Sequence, residues 1–243
     1  MKKTYAILAA IAAAVLIVYS LLPDSYFTES VFPLEENVTV FGYDDLADGG
    51  ESSVRTDIGD SVLSFSCRLG MDTTKGAWCG LLWNTDPDSA GEYRNWTFVD
   101  TLVFDIESHG TKEVLVKVWA FDPDVTDPRK PKTFRLLMKE LPLQEGRHRV
   151  ALPFEQFYTP DFWYEDGKID RTLNRRHQET VARVEIAPGW NQPRGKEFSL
   201  KIYAITAVGV SNFYFGIVLG VFLLLTIVAV GRRHHLKNDS EES

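Results

Sequence analysis

Two apolar segments without a charged residue constrain this chain more than any other feature. One covers 5–22 and the other covers 213–230, so each is 18 residues long. As a helix, each would extend about 27 Å, which is close to the hydrocarbon thickness of a bilayer. An uncharged run of this length is typical of a membrane span. The sequence therefore predicts two transmembrane helices that flank one large segment, 23–212.

Basic residues beside the two apolar segments predict their orientation. Lys2 and Lys3 precede the first segment, three basic residues follow the second, and the exit of the first has none. Because basic flanks stay on the cytoplasmic side, we expect a cytoplasmic N-terminus (1–4) and a cytoplasmic tail (231–243). The segment 23–212 is then an extracytoplasmic, periplasmic domain held at the inner membrane.

The first apolar segment has a second interpretation as a cleavable signal peptide. A pair of lysines before an apolar stretch is common to both kinds of segment, and Val18–Ser20 offers a small-residue cleavage site. The run is longer than most signal-peptide cores, which favours an uncleaved signal anchor. Either interpretation exports the segment that follows.

Charge and motif content exclude several classes of function. The net charge is −8, and 23–212 carries 21 Lys and Arg against 31 Asp and Glu, a balance of −10. Nucleic-acid binding needs a basic footprint, so we expect no nucleic-acid partner. The chain has no serine elbow, no His-Glu-x-x-His and no glycine-rich phosphate loop. We therefore predict a protein that is not an enzyme and that needs no cofactor.

Apolar and polar residues alternate with a period of two along much of 23–212. In 62–69, for example, Leu63, Phe65 and Cys67 alternate with serines. This alternation predicts strands that each bury one face. The fold class is predicted to be all-β, an antiparallel sandwich. The predicted strands are 62–69, 77–83, 101–107, 113–121, 132–139, 147–152, 181–187 and 197–208.

The order of several motifs resembles the galactose-binding-like jelly-roll domains. The motifs are Tyr43-Asp44-Asp45-Leu46, Asp48-Gly49-Gly50-Glu51-Ser52, and the stretches 98–106, 146–154 and 198–205. Domains of this kind include bacterial carbohydrate-binding modules and the complex I intermediate-associated family. The resemblance covers roughly 40–209 and implies a jelly-roll β-sandwich. It differs from the usual pattern because a predicted membrane span lies at each end.

The alternation also predicts one outward face that carries charged and aromatic side chains. We expect it to present Asp105, Glu107, Lys117, Trp119, Arg135, Arg183, Glu185, Lys201 and Tyr203, with Trp163, Tyr164 and Trp190 at its rim. Aromatic rings stack on sugars and charged groups bond their hydroxyls. The resemblance implies Trp119 and Tyr203 as platforms and Lys117 and Arg135 as hydrogen-bonding partners.

Two other interpretations of these residues stay open. The charged residues would also form cross-strand ion pairs on a solvated sheet, with Trp119 covering a loop. Glu107 and Glu185 share the predicted face, as the two carboxylates of a glycoside hydrolase must. Each has a basic neighbour, however, which keeps a carboxylate ionised and unsuited to acid catalysis.

An acidic cluster at the start of the domain suggests a structural calcium ion as an alternative to a simple turn. Asp44, Asp45, Asp48 and Glu51 supply hard oxygen ligands on a flexible segment, and the resembling modules often hold calcium there. The spacing does not match a helix-loop-helix calcium loop, and Asp-Gly-Gly turns form without any ion. We expect no resident metal.

The two cysteines are predicted to form a disulfide. Strands 62–69 and 77–83 would make a hairpin that places Cys67 opposite Cys79, and an oxidising compartment favours the bond. Two buried reduced cysteines are the alternative. In the second apolar segment, Gly216 and Gly220 form a small-xxx-small pattern that permits close helix packing, with the first span or with a second copy.

Together these features predict a membrane-anchored binding module. Its ligand would be a carbohydrate or a similar polar molecule, sensed on behalf of a separate membrane protein. The alternative is a non-catalytic scaffold or assembly factor whose outer sheet face docks another envelope protein. The complex I intermediate-associated family is the precedent for this alternative, by fold analogy alone.

Overall fold

The computed structural model describes residues 2–22, 26–34, 38–88 and 90–241. Three α-helices lie in these residues: α1 (Lys2–Leu21), α2 (Asp161–Gly167) and α3 (Phe213–Glu241). The strands are β1 (Tyr26–Phe32), β2 (Thr39–Asp44), β3 (Ser53–Ile58), β4 (Leu63–Arg68), β5 (Cys79–Asn84), β6 (Thr101–His109), β7 (Glu113–Ala120), β8 (Arg135–Pro142), β9 (Gly146–Pro153), β10 (Val181–Pro188) and β11 (Glu197–Val210).

The strands form two sheets that pack face to face. Sheet A has the order β3-β4-β11-β6-β9, with β1 also paired to β11, and sheet B has the order β2-β5-β10-β7-β8. All neighbours along both orders are antiparallel. The predicted antiparallel sandwich is confirmed. The chain crosses repeatedly from one sheet to the other, so strands that are close in sequence are often not in the same sheet.

The core between the sheets is built from the inward side of the alternating strands. Leu63 and Phe65 of β4, Phe104 of β6, and Val116 and Val118 of β7 are all 2 % exposed or less. Residues of both sheets belong to one continuous apolar cluster. Burying these side chains is the main contribution to the stability of the sandwich.

Three strands were missed by the sequence analysis: β1, β2 and β3. Strands β2 and β3 are the edges of their sheets, and neither has a fully buried residue. An edge strand with a mostly exposed surface needs no apolar alternation, so its sequence carries a weak signal. The eight strands that were predicted are all present.

Cys67 and Cys79 form a disulfide, with 6.2 Å between their Cα atoms. The predicted hairpin is wrong, however, because Cys67 lies in β4 of sheet A and Cys79 lies in β5 of sheet B. Both cysteines point into the core and are 1 % exposed or less. The bond therefore ties the two sheets together across the core.

The inward and outward sides of β8 are the reverse of the prediction. The alternation that puts Arg135 on the outward face would put Leu136 in the core, but Leu137 and Leu141 lie in the main apolar cluster. Leu136 is outward and belongs to a second cluster that includes Trp163 of α2. Both sides of β8 are apolar because α2 covers its outward side, so the period-two pattern has no polar side to identify.

The terminal helices form a compact unit of their own with the residues next to them. Within the described residues, α3 is the one helix long and apolar enough to cross a membrane, with a mean hydropathy of 2.7 over Phe213–Arg232. The apolar part of α1, Tyr5–Leu21, is shorter than such a span. A Cβ atom at Gly216 or Gly220 would meet no described atom within 4 Å, so both glycines leave an open surface on α3.

Candidate functional site

The predicted single ligand face is divided between the two outer surfaces of the sandwich. Lys117 and Trp119 are outward on β7 of sheet B, whereas Tyr203 is outward on β11 of sheet A. The prediction that Trp119 and Tyr203 share one face is therefore wrong. Alternation along a strand tells which side chains point outward, but it does not tell to which sheet the strand belongs.

Arg135 and Trp163, two other predicted ligand residues, are buried in the protein. Arg135 is 1 % exposed, and its Nε and Nη2 atoms donate to Asp122 Oδ2 at 3.1 and 2.5 Å. Its guanidinium lies 4.4 Å from the centre of the Trp163 ring. Trp163 is 5 % exposed and donates from Nε1 to the Phe134 carbonyl at 2.8 Å. Their placement on a ligand face is wrong, since both pack inside the domain.

A buried carboxylate organises the centre of the outer surface of sheet B. Glu185 of β10 is 5 % exposed. Its Oε1 atom accepts hydrogen bonds from Lys117 Nζ at 2.6 Å and from the Tyr43 hydroxyl, and its Oε2 atom accepts one from Trp119 Nε1 at 2.8 Å. Burial and the adjacent Glu185 raise the pKa of Tyr43, so its hydroxyl stays protonated. Four side chains are thus held in fixed positions.

Exposed aromatic rings lie at both edges of sheet B. Phe41 on edge strand β2 is 45 % exposed. At the other edge, Tyr158 pairs through its backbone with Met138 of β8, and Trp190 follows β10. Tyr158 Oη and Trp190 Nε1 donate to Glu140 Oε1 at 2.8 and 3.0 Å, which orients both rings. We define the sheet B face as these rings with the central residues Tyr43, Leu82, Lys117, Trp119 and Glu185.

The sheet B face has a broad floor that helix α2 partly covers. Its two edge strands are four strand spacings apart, so the floor is about 19 Å wide. Helix α2 packs on part of this floor, where Trp163 joins an apolar cluster with Leu115 and Met138. Next to the covered part, Arg183 lies 5.3 Å over the Trp119 ring, and burial lowers the pKa of Arg183.

The outer surface of sheet A has a different character. Glu107 accepts hydrogen bonds from Tyr203 Oη at 2.7 Å and Lys201 Nζ at 3.2 Å, and Arg147 lies 3.7 Å over the Tyr203 ring. These bonds, with one from His109, lower the pKa of Glu107 to about 2. The predicted cross-strand ion pairs are present here. Tyr203 is a member of this network, and its ring is covered by Arg147.

The arrangement does not favour hydrolysis or metal binding. Glu107 and Glu185 lie on opposite outer surfaces, so they cannot flank one glycosidic bond. The Asp45 carboxylate, from the acidic cluster, accepts bonds from the Ser52 amide and hydroxyl and from the Trp78 amide. No group of three or more His, Cys, Asp or Glu side chains in the described part of the chain could hold a metal ion.

Comparison with known proteins returns structures but no sequence family. No protein-family model and no curated protein sequence matches this chain. The fold is similar to a family 11 carbohydrate-binding module of the cellulosomal cellulase Lic26A-Cel5E of Clostridium thermocellum, with 11 % identity and a TM-score of 0.49 over 77 % of this chain and 96 % of that one.

Two further solved structures show similar values. A family 11 module from Clostridium thermocellum, in complex with a β-1,3-1,4-mixed-linked tetrasaccharide, has 12 % identity and a TM-score of 0.49 over 77 % of this chain and 98 % of that chain. A low-affinity xylan-binding module from Roseburia intestinalis has 10 % identity and a TM-score of 0.36 over 78 % and 98 %. Sequence identities of 10 to 12 % and TM-scores below 0.5 do not identify a function for this chain.

Four residues of the sheet B face were not predicted from the sequence: Phe41, Tyr43, Leu82 and Tyr158. Glu140, which orients two of the rings, was not predicted either. A weak signal was present for the first two, because Phe41 and Tyr43 alternate with Val40 and Gly42 in a short strand. Tyr158 comes close to Glu140 because its backbone pairs with Met138 of β8. The sequence does not encode this pairing locally.

Proposed function

We propose that this protein is a non-catalytic, membrane-anchored module that binds carbohydrate on the sheet B face. One observation carries the proposal: exposed aromatic rings flank a fixed set of polar groups on this surface. Phe41, Tyr158 and Trp190 are 41 to 56 % exposed, although burial would stabilise such rings. An exposed apolar ring in a fixed orientation is typical of a binding surface.

The chemistry of the face suits a sugar. A pyranose ring has apolar C–H surfaces that stack on aromatic rings, and hydroxyl groups that need both donors and acceptors. Lys117 Nζ has three protons, of which Glu185 takes one, and the Glu140 carboxylate lies beside Trp190. Trp119 contributes a half-buried ring surface. The polar groups are already held by one another, so binding would lose little side-chain entropy.

The proposal places the domain outside the cytoplasmic membrane, as the flanking charges predict. Helix α3 would be the anchor, because its length and hydropathy suit a span. The Cys67–Cys79 disulfide supports an oxidising compartment. We propose that α1 is an uncleaved signal anchor, that the domain covers 23–212, and that the module senses its ligand for a separate membrane protein.

A glycan array with the full chain in lipid nanodiscs tests the proposal. We expect the Phe41→Ala and Trp190→Ala variants each to weaken binding about tenfold, because each removes an aromatic ring on which the sugar would stack. The Tyr203→Ala variant is the matched control, because it removes an aromatic ring from the opposite surface. Its binding should equal that of the wild type.

Two results would contradict the proposal. The first is a wild-type chain that binds no glycan above empty nanodiscs. The second is loss of binding in the Tyr203→Ala variant while the Trp190→Ala variant binds normally, which would assign the ligand to sheet A. The second result counts only if both variants show the wild-type thermal unfolding transition.

The outer surface of sheet A favours one alternative, a scaffold that docks an acidic protein. Arg55, Arg68 and Arg149 are exposed and outward there, and none forms an ion pair within the described residues. Three arginines without an ion-pair partner, on an acidic chain, suit an acidic partner. Co-purification in mild detergent distinguishes the functions: a stoichiometric partner lost in an Arg55→Gln/Arg68→Gln variant would favour the scaffold.

A further inference from the structure

A pocket lies at the end of the sandwich, where β7 begins. It is lined by 110–113, by Glu145, by 191–193 and by Lys196, and it has a volume of about 640 Å³. This volume is in the range of pockets that hold a small molecule. The lining comes from three connections: the β6–β7 turn, the β8–β9 turn and the loop that joins β10 to β11. We call it the strand-end pocket.

The strand-end pocket lies beyond the part of the sheet B face that α2 covers, and it adjoins Trp190. Glu113 is outward on β7, on the same side as Lys117, and four residues of strand separate them by about 13 Å. The loop that lines the pocket begins directly after Trp190, and Asn191 is its first lining residue. A ligand that stacks on Trp190 would therefore reach the pocket with its next unit.

Each carboxylate of the pocket already accepts hydrogen bonds from the protein. Glu113 Oε1 accepts bonds from the Asn191 backbone and side-chain amides at 3.3 and 3.2 Å. Glu145 Oε1 lies 2.5 Å from His109 Nδ1. That bond lowers the pKa of Glu145 and raises the pKa of His109, which also bonds Glu107, so the Glu145 carboxylate is engaged by the imidazole.

Two charged donor groups of the pocket are free within the described residues, the ammonium groups of Lys112 and Lys196. Lys112 and Lys196 are exposed lining residues, and neither ammonium group forms an ion pair within the part of the chain that the structure describes. A pocket whose carboxylates are occupied and whose two ammonium groups are available favours a ligand rich in acceptors. Lysine binds carboxylate, sulfate and phosphate groups as a point charge.

We propose that the strand-end pocket binds the anionic substituent of an acidic sugar, a carboxylate or a sulfate, held between Lys112 and Lys196. The proposal rests on the proposed function, because it gives the class of the sugar unit that lies beyond Trp190. The ligand of the whole surface is then a glycan with at least one acidic residue.

Ligand-observed NMR with the full chain in nanodiscs tests the pocket directly. The probes are D-glucose, D-glucuronate and D-glucose 6-sulfate, which differ in the substituent on C6. We expect one or both acidic sugars to bind at least about tenfold more tightly than glucose. The acidic sugar that binds more tightly shows whether the pocket prefers a carboxylate or a sulfate. Lys112→Gln and Lys196→Gln should each weaken that probe about tenfold, and glucose binding should not change.

The control variant is Lys132→Gln, which removes an exposed lysine outside the pocket and should bind like the wild type. Equal binding of glucose and both acidic sugars would overturn the inference, as would acidic-sugar binding that is unchanged in the Lys112→Gln and Lys196→Gln variants. These failures differ from failure of the proposed function. The latter appears on the glycan array as binding that is insensitive to Phe41→Ala and Trp190→Ala, whatever the pocket binds.

Discussion

Replacing Arg135 with methionine should destabilise the sandwich strongly, because it leaves the buried Asp122 carboxylate without its ion-pair partner. Asp122 is fully buried, and its Oδ2 atom receives two hydrogen bonds from the Arg135 guanidinium. Oδ1 keeps only the Asp124 amide at 3.0 Å and His177 Nε2 at 3.5 Å. Breaking a buried pair by removal of one partner costs about 3–5 kcal/mol. Methionine preserves most of the side-chain volume, so the expected loss is electrostatic.

Urea unfolding of the full chain in detergent micelles, followed by tryptophan fluorescence, measures this loss. For a domain of this size, 3–5 kcal/mol corresponds to a decrease in Tm of about 6–20 °C. The exposed pair Arg171–Asp161 supplies the control, and Arg171→Met should cost at most about 1 kcal/mol. The double variant Asp122→Asn/Arg135→Met should recover much of the loss, because asparagine can stay buried without a charge.

Two results would refute this reasoning. If Arg135→Met and Arg171→Met destabilise the chain equally, then Arg135 is not a buried ion-pair partner. If Arg135→Met abolishes glycan binding while the free energy of unfolding stays at the wild-type value, then Arg135 contacts the ligand, as the sequence alone suggested. The second result would also contradict the buried position of Asp122.

Two further predictions concern the inter-sheet disulfide and the sheet A network. The Cys67→Ser/Cys79→Ser variant should lose about 3 kcal/mol of unfolding free energy, from the entropy of a closed loop of this length, and an equally stable variant would contradict the disulfide's role. Tyr203→Phe should raise the pKa of Glu107 from about 2 towards 4.5, measured by NMR titration of its carboxyl carbon, because the largest stabilising bond is lost. An unchanged pKa in this variant would refute the role of Tyr203 as the main hydrogen-bond donor to Glu107. Because the folded-state pKa is depressed, ionised Glu107 favours the native state above about pH 4.5, and this contribution disappears as the pH falls towards 2.

The sequence determined the class of the fold because its signals are local. Alternation in β4, β6 and β7 shows which side chains need burial, and burial is decided residue by residue. The absence of charge from 213–230 similarly identified α3 as an apolar helix of membrane length. For β8 the same signal failed, since α2 covers the outward side and removes the contrast between the two sides of the strand.

Which of these side chains share one surface was decided by the tertiary structure alone. The sequence identified Lys117 and Trp119 as outward and Trp190 as a rim residue. It placed Tyr203 beside them because Lys117, Trp119 and Tyr203 all have outward positions in alternating strands. Which sheet a strand joins depends on pairing between segments far apart in the chain, as when β10 inserts between β5 and β7. That pairing brought Phe41 and Tyr158 to the edges of the face, and it assigned Tyr203 to the opposite surface. Long-range register is set by the packing of the whole core, and no single segment of the chain contains it.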